Sequence, residues 1–439
     1  MAKFQNLRMV LLLLAWLAAL VQIIFGEDVT SLSNTAVVVY LVYLLITLPL
    51  IKPGSVIIIS FLGLIGFLTI HEISQDVVLD AGRFVLIFAG LVPTMILAKS
   101  TASTMPSVVK TQERLAALPP KQSSAGLQIA GHAFGGVINT GTFAMLSAAL
   151  PPSSSKERRQ IAAMAALRGM NASAVWSPFF VAFAIGQSYI EPAASWWAIA
   201  VGVIMALLFN AVTLPIFTKG LNFQILMASL NCLQPVAIRL LVVLASVLAV
   251  ALIFNFTALS AVVATMPLLV LLQFWRQPQN VKTIIRLTTT ALKGISDDIV
   301  VISSAMILGF LVTRTDGIAT ILTWVSADTF PAYVALTITP VAMMLASVVG
   351  IHPVISSTVL LSLFSGAGSD AAPFLLMQAH LLGWATGTMS SIASLSVITC
   401  STLYKVPGRD LAMGANMITA FGYALMGGIL LSLADMFFN

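Results

Sequence analysis

Charge is scarce in this sequence. Of its 439 residues only 8% are Asp, Glu, Lys or Arg, against about 25% in a soluble chain. That excludes an ordinary solvated domain. Cysteine is nearly absent, and Cys232 and Cys400 stand alone, which excludes a disulfide framework and any thiolate metal spacing. The Gly-rich run over 131–141 lacks the preceding strand and the Lys of a phosphate loop. No nucleophile–base pair or metal cluster stands out, so enzymatic catalysis is not expected and no cofactor is implied. The formal charge is +6, but the basic residues are spread over short loops. That distribution speaks of membrane topology and lipid contact and against a nucleic-acid partner.

What is present is apolar length. Hydrophobic residues make up 59% of the chain, and runs long enough for a membrane helix recur throughout. Spans are expected at 7–26, 35–51, 54–70, 83–99, 194–217, 237–254, 257–275, 298–313 and 411–434. Interrupted spans are expected at 160–190 and 372–400, and helical hairpins at 124–150 and 333–364. The segments 100–123, 220–234 and 276–296 are polar and basic and read as cytoplasmic connectors or surface-lying helices. The first span lacks a small-residue cleavage pattern at Phe25-Gly26-Glu27-Asp28 and reads as uncleaved. The fold class is therefore an all-α polytopic membrane protein of about 11 transmembrane helices plus two re-entrant hairpins.

Charge tests this arrangement. With the N-terminus in the cytoplasm and each hairpin returning to its own side, 18 of the 21 Lys and Arg residues fall inside. Only Arg83 and Arg314 fall outside, and Arg168 lies within the membrane. Ten of the 15 acids, including Glu27, Glu72, Asp76 and Glu191, fall outside. This is a strong positive-inside bias, and it fails if either hairpin is a single crossing. The order span, hairpin, broken span, span then occurs twice, over 83–217 and 298–439, in opposite orientation. Such inverted repeats are a transporter architecture. Residues 1–82 and the 218–297 linker and helices read as scaffold. The expected location is the cytoplasmic membrane.

The breaks carry the candidate site. Asn139, Thr140 and Thr142 lie at the expected tip of the first hairpin, and Ser356, Ser357 and Thr358 in the matching place of the second. Asn171, Ser173 and Ser177-Pro178 interrupt the first broken span. Thr386, Thr388, Ser390, Ser391 and Ser394 interrupt the second. Helix ends at membrane depth expose N–H groups that attract an anion and carbonyls that hold a cation. Sodium sites are expected near Asn139, Asn171, Ser357 and Thr386. The same hydroxyls also serve simply to bond helix backbones. Arg168 has no midplane acid to pair with, so it meets a substrate anion, bonds hairpin carbonyls, or snorkels to the cytoplasmic face. His132, His352 and His380 flank the breaks as proton relays or structural groups, with His352-Pro353 the best placed.

At these residues the chain resembles the ion transporter superfamily, which includes divalent-anion:sodium symporters and the citrate and C4-dicarboxylate carriers. The hairpin tips of the anion symporters carry Ser-Asn-Thr. Here the first tip reads Ile138-Asn139-Thr140 and the second Ile355-Ser356-Ser357-Thr358. The resemblance implies a homodimer of scaffold and transport domains. It also implies a small anionic substrate of the carboxylate or dicarboxylate class, coupling to Na+ or H+, and an elevator motion. A cation/proton antiporter or anion exporter of the same superfamily is the alternative.

Overall fold

A computed structural model describes residues 2–25, 30–51, 74–119, 122–151, 153–294, 296–314, 329–365 and 368–438, with isolated positions between 56 and 67. The expected span at 54–70 lies largely outside the described residues. In chain order the first helices are α1 (Ala2–Phe25), α2 (Thr30–Thr47), α3 (Gln75–Ala102), α4 (Pro106–Ala116), α5 (Ser123–Ile138), α6 (Gly141–Ser147) and α7 (Lys156–Ser173). There follow α8 (Val181–Gln187), α9 (Pro192–Phe217), α10 (Phe223–Asn231), α11 (Gln234–Phe254), α12 (Ala258–Arg276), α13 (Val281–Gly294) and α14 (Ser296–Arg314). The last six are α15 (Ala332–Val348), α16 (Pro353–Phe364), α17 (Pro373–Ser390), α18 (Leu395–Tyr404), α19 (Gly408–Ala412) and α20 (Ala415–Asp435).

Seven described stretches are long and apolar enough to cross a bilayer: Asn6–Phe25, Asp76–Ala102, Pro192–Phe217, Gln234–Phe254, Ala258–Arg276, Pro373–Tyr404 and Ala415–Asp435. Shorter apolar helices cover Asn34–Leu50, Ile299–Leu308, Ala332–Val348 and Pro353–Phe364. This all-helical, apolar architecture fits a polytopic membrane protein, because helices satisfy their own backbone groups in lipid. The expected broken span at 160–190 is not among the apolar ones. Its helix α7 opens with Lys156, Glu157, Arg158 and Arg159, and from Ala162 onward it is almost wholly buried. Small Ala and Gly side chains suit a helix hidden among other helices, which needs little hydropathy of its own.

The chain divides into two compact units, Met1–Ala102 with Ser246–Asp328, and Ser103–Ala245 with Thr329–Asn439. This division cuts across the expected repeats. Helices α3 and α14, expected to open the repeats, belong with α1, α2, α12 and α13, and α3 packs on all five. Inside this first unit, Trp16 Nε1 donates to Thr94 Oγ1 at 2.9 Å, and the Tyr40 and Ser303 hydroxyls meet at 2.8 Å. The 218–245 segment, expected as linker and scaffold, belongs with the second unit, where α10 forms a helix capped by Asn222.

The second unit contains both hairpins and both interrupted helices. Its second hairpin is closed at the foot. Phe330 N–H donates to Gly368 O at 3.0 Å, and Asp370 N–H donates to Phe330 O at 3.1 Å. That parallel bridge, with the rings of Phe330 and Phe364 edge to face at 5.3 Å, brings the entry of α15 beside the exit of α16. At the first hairpin, Gln112 of α4 donates to the Met145 carbonyl of α6 at 3.0 Å, which ties the outgoing arm to the helix that leads in.

Candidate functional site

The site begins with close packing. On α5, Gly131 and Gly135 are four residues apart and share one helix face. A Cβ on Gly131 would come within 2.9 Å of the Ala166 carbonyl oxygen on α7, and one on Gly135 within 2.6 Å of Ser173 Oγ and 2.9 Å of Met170 Cα. Opposite them, a Cβ on Gly169 would overlap the Gln128 carbonyl. The second half repeats the device with its partners exchanged. Gly383 and Gly387 on α17 face α15, where a Cβ would come within 2.8 Å of Met343 Sδ and 2.5 Å of Ser347 Oγ respectively. Small residues at this spacing let backbones touch, a packing mode suited to lipid, where hydrophobic association between helices is weak.

Each hairpin then turns. The first turns at Asn139, whose φ of 52° lies in the left-handed region that Asn tolerates better than most side chains. Its Oδ1 accepts the Thr140 N–H at 2.7 Å. Ser177 Oγ donates to Gly136 O at 2.6 Å, fastening this tip to the interruption after α7. Around the tip, His132 Nδ1, Thr142 Oγ1 and Trp176 Nε1 are buried and have no hydrogen-bond partner among the described residues. The rings of His132 and Trp176 are in contact, with centroids 5.8 Å apart. Buried polar atoms without partners are rare in folded proteins.

The second turn occupies Val349–His352, with Gly350 at φ 93°. Ser356, Ser357 and Thr358, expected at the tip, instead lie within α16, whose start is set by Pro353 and by His352 Nδ1 accepting the Val354 N–H at 3.2 Å. Ser356 Oγ donates to Pro353 O, and Thr358 is buried. Ser357 Oγ lies 3.2 Å from His380 Nδ1, and His380 Nε2 lies 2.9 Å from the Ala182 carbonyl of α8. A carbonyl only accepts, so Nε2 carries the proton there, and in the neutral ring Nδ1 accepts from Ser357. This Ser–His pair is invisible in the sequence, where no nucleophile–base pair stands out. It is fully buried, and a neutral carbonyl replaces the carboxylate that orients a catalytic His. It links the second hairpin, α17 and α8. Gln378, two residues earlier, is also fully buried, and both its amide atoms lack a partner among the described residues.

The interruptions take in Ser177-Pro178, Ser391 and Ser394 as expected, but not the polar residues that precede them. Asn171 Nδ2 donates to Leu167 O and Ser173 Oγ to Met170 O, so both residues remain helical and α7 ends after them. Thr386, Thr388 and Ser390 likewise bond the carbonyls of Leu382, Trp384 and Thr386 one turn back within α17. The breaks themselves span 174–180 and 391–394. In the first, Ser177 Oγ accepts the Phe179 N–H; in the second, Ser394 accepts the Val397 N–H and donates to Thr388 O at 2.7 Å.

The last turns of α7 and α17 meet at a hydrogen bond. Thr388 Oγ1 donates to Asn171 Oδ1 at 2.7 Å and shares that single proton with Trp384 O at 2.8 Å. Two residues singled out 217 positions apart are thus adjacent. Arg168, three residues before Asn171 on α7, lies in a buried polar cluster of different partners. Its Nε donates to Gln128 Oε1 at 3.2 Å, its Nη1 to Asn416 Oδ1 at 2.8 Å, and its guanidinium lies 3.8 Å from the centre of the Phe217 ring. Gln128 donates onward to Asn210 and Thr213 of α9. No carboxylate is among these partners. Gln128, Asn416 and His380 are functional candidates that sequence reasoning passed over or ranked low. The Gly-x3-Gly spacing on α5 and α17 was the signal within reach. Among the described residues no three His, Cys, Asp or Glu side chains stand together as metal ligands.

No family model matches the chain, and no curated protein matches it. Among solved structures, the YdaH transporter of Alcanivorax borkumensis is similar over 88% of this chain and 97% of that one, at 14% identity and a TM-score of 0.42. A likeness at that level carries no argument about this chain.

Proposed function

We propose that the chain is a secondary active transporter of a small organic anion, of the carboxylate or dicarboxylate class, in the cytoplasmic membrane. The observation that carries this reading is the Thr388–Asn171 bond, which joins the ends of two interrupted helices inside one unit, each packed against its own hairpin. Interrupted helices paired with hairpins are the usual frame of a midplane site. Unpartnered polar atoms around the first tip supply groups for a ligand or its water. The buried Arg168 charge, with only neutral partners among its described contacts, favours an anion over a cation. In this reading the second unit is the moving body of an elevator, the first is the fixed scaffold of a homodimer, and Na+ or H+ supplies the drive. Asn139, Asn171, Ser357 and Thr386 offer oxygens for sodium, although in the structure each side chain also makes a protein hydrogen bond.

The test is uptake of labelled mono- and dicarboxylates into proteoliposomes, with sodium and pH gradients imposed separately. Gradient-driven uptake that Thr388→Val reduces supports the reading; no gradient-driven uptake across a broad panel overturns it. The buried Ser357–His380 link favours one second reading, a cation/proton antiporter. In that case a proton-efflux dye responds to added sodium and the response is lost in His380→Gln.

A further inference from the structure

The most one-sided charge in the chain lies outside the site just described. Between Glu191 and Asp297 the sequence contains no acid, yet Lys219, Arg239, Arg276, Lys282, Arg286 and Lys293 fall there. Three of them are on α13, which follows the end of membrane-length α12 after the short turn Pro278–Asn280. At 3.6 residues per turn, Lys282, Arg286 and Lys293 fall within an arc of about 40° and along about 17 Å of helix. All three are exposed. The ion pairs among the side chains described are Arg83–Asp80 and Lys156–Asp410, and none of the three takes part in them. The other side of α13 is seated: Ile284 and Leu292 are buried, and the helix packs on α3 and α1 within its unit. Ile285, beside the basic stripe, is 53% exposed, and Trp275, in the last turn of α12, is 80% exposed. A short helix with one seated apolar face, an exposed basic stripe and an aromatic at its entry has the layout of one lying in the interface plane.

We infer that the Lys282–Arg286–Lys293 stripe of α13 is a binding surface for anionic phospholipid headgroups, with Trp275 and Ile285 at the acyl boundary. Charge complementarity selects this occupant: three aligned, exposed cations follow the end of membrane-length α12 in a stretch of sequence without acids, and anionic headgroups carry the opposite charge. The inference is independent of what the chain transports.

The test places the full chain in phosphatidylcholine vesicles containing a minor fraction of chain-brominated phosphatidylglycerol or chain-brominated phosphatidylcholine. Trp275 quenching is read as the difference from Trp275→Phe. The expected result is stronger quenching by phosphatidylglycerol, weakened by salt, with association falling roughly fivefold for each cation removed in K282Q, R286Q and K293Q. The charge-keeping variant K282R/R286K/K293R retains the preference, which separates loss of charge from loss of fold. Equal quenching by the two lipids, or a preference that survives both high salt and the triple Gln variant, overturns the assignment.

Discussion

Adding one methyl group at Gly135 tests the packing on which the site is built. In Gly135→Ala the new Cβ would lie 2.6 Å from Ser173 Oγ and 2.9 Å from the backbone Cα of Met170. The hydroxyl can rotate away, but the backbone atom cannot. An ordinary contact needs about half an ångström more, so α5 must lift from the last turn of α7, where Asn171 and Ser173 sit. Overpacking of this kind costs about 1–3 kcal/mol, and Ala returns about 0.8–1.0 kcal/mol through helix propensity. Gly422→Ala on α20 supplies the control, since no atom lies within 4 Å of a Cβ there. It keeps the propensity gain without the clash. The two variants therefore differ by about 1–3 kcal/mol, with Gly422→Ala the more stable. In thermal unfolding of the purified protein in detergent, followed by tryptophan fluorescence, that is a separation of about 1–3 °C in Tm for a chain of 439 residues. Equal shifts for the two variants would refute the close approach of α5 and α7.

Three further outcomes follow from named contacts. In a double-mutant cycle, Thr388→Val and Asn171→Ala couple by about 0.5–1.5 kcal/mol in stability, and additive effects would separate the two interrupted helices. Arg168→Lys loses the forked donor that reaches both Gln128 Oε1 and Asn416 Oδ1; the unfolding midpoint falls by the equivalent of about 1–3 kcal/mol for the acceptor left unpaired, and an unchanged midpoint contradicts the cluster. Burial raises the Cys232 thiol above its ordinary value, only partly opposed by the Arg114 charge, so iodoacetamide labels it more slowly than a free thiol at mildly alkaline pH, and labelling at the free-thiol rate contradicts its burial.

What the sequence reveals and what it hides divide along a physical line. Long apolar runs and their Gly, Pro and Asn interruptions are local signals, so α9 starts within two residues of its expected position, and the first hairpin turns at the Asn139-Thr140 pair singled out beforehand. Hydroxyl residues mislead at the breaks. Thr386, Thr388 and Ser390 look like helix breakers, but each bonds a carbonyl of the preceding turn and leaves the helix intact up to Ser390. Ser356–Thr358 are displaced from the second tip for a related reason, because Pro353 and the His352 cap have already begun α16. The partners of Arg168 lie 40 and 248 positions away, and His380 reaches Ala182 across 198. No local periodicity encodes such pairings. The Ala-rich part of α7 is buried by neighbours that the local pattern does not identify.

The central claim is that each hairpin leaves the membrane on the side from which it entered, the two doing so from opposite faces. Because Cys232 and Cys400 are both buried, both are first replaced by Ser. Single cysteines are then placed at Ser153, beyond the first hairpin, and at Gln122, before it, and likewise at Thr329 and the exposed Asp370 around the second. The account predicts that an impermeant maleimide labels Gln122→Cys and Ser153→Cys from the cytoplasmic face and Thr329→Cys and Asp370→Cys from the opposite face. Labelling of either pair from two different faces would contradict it.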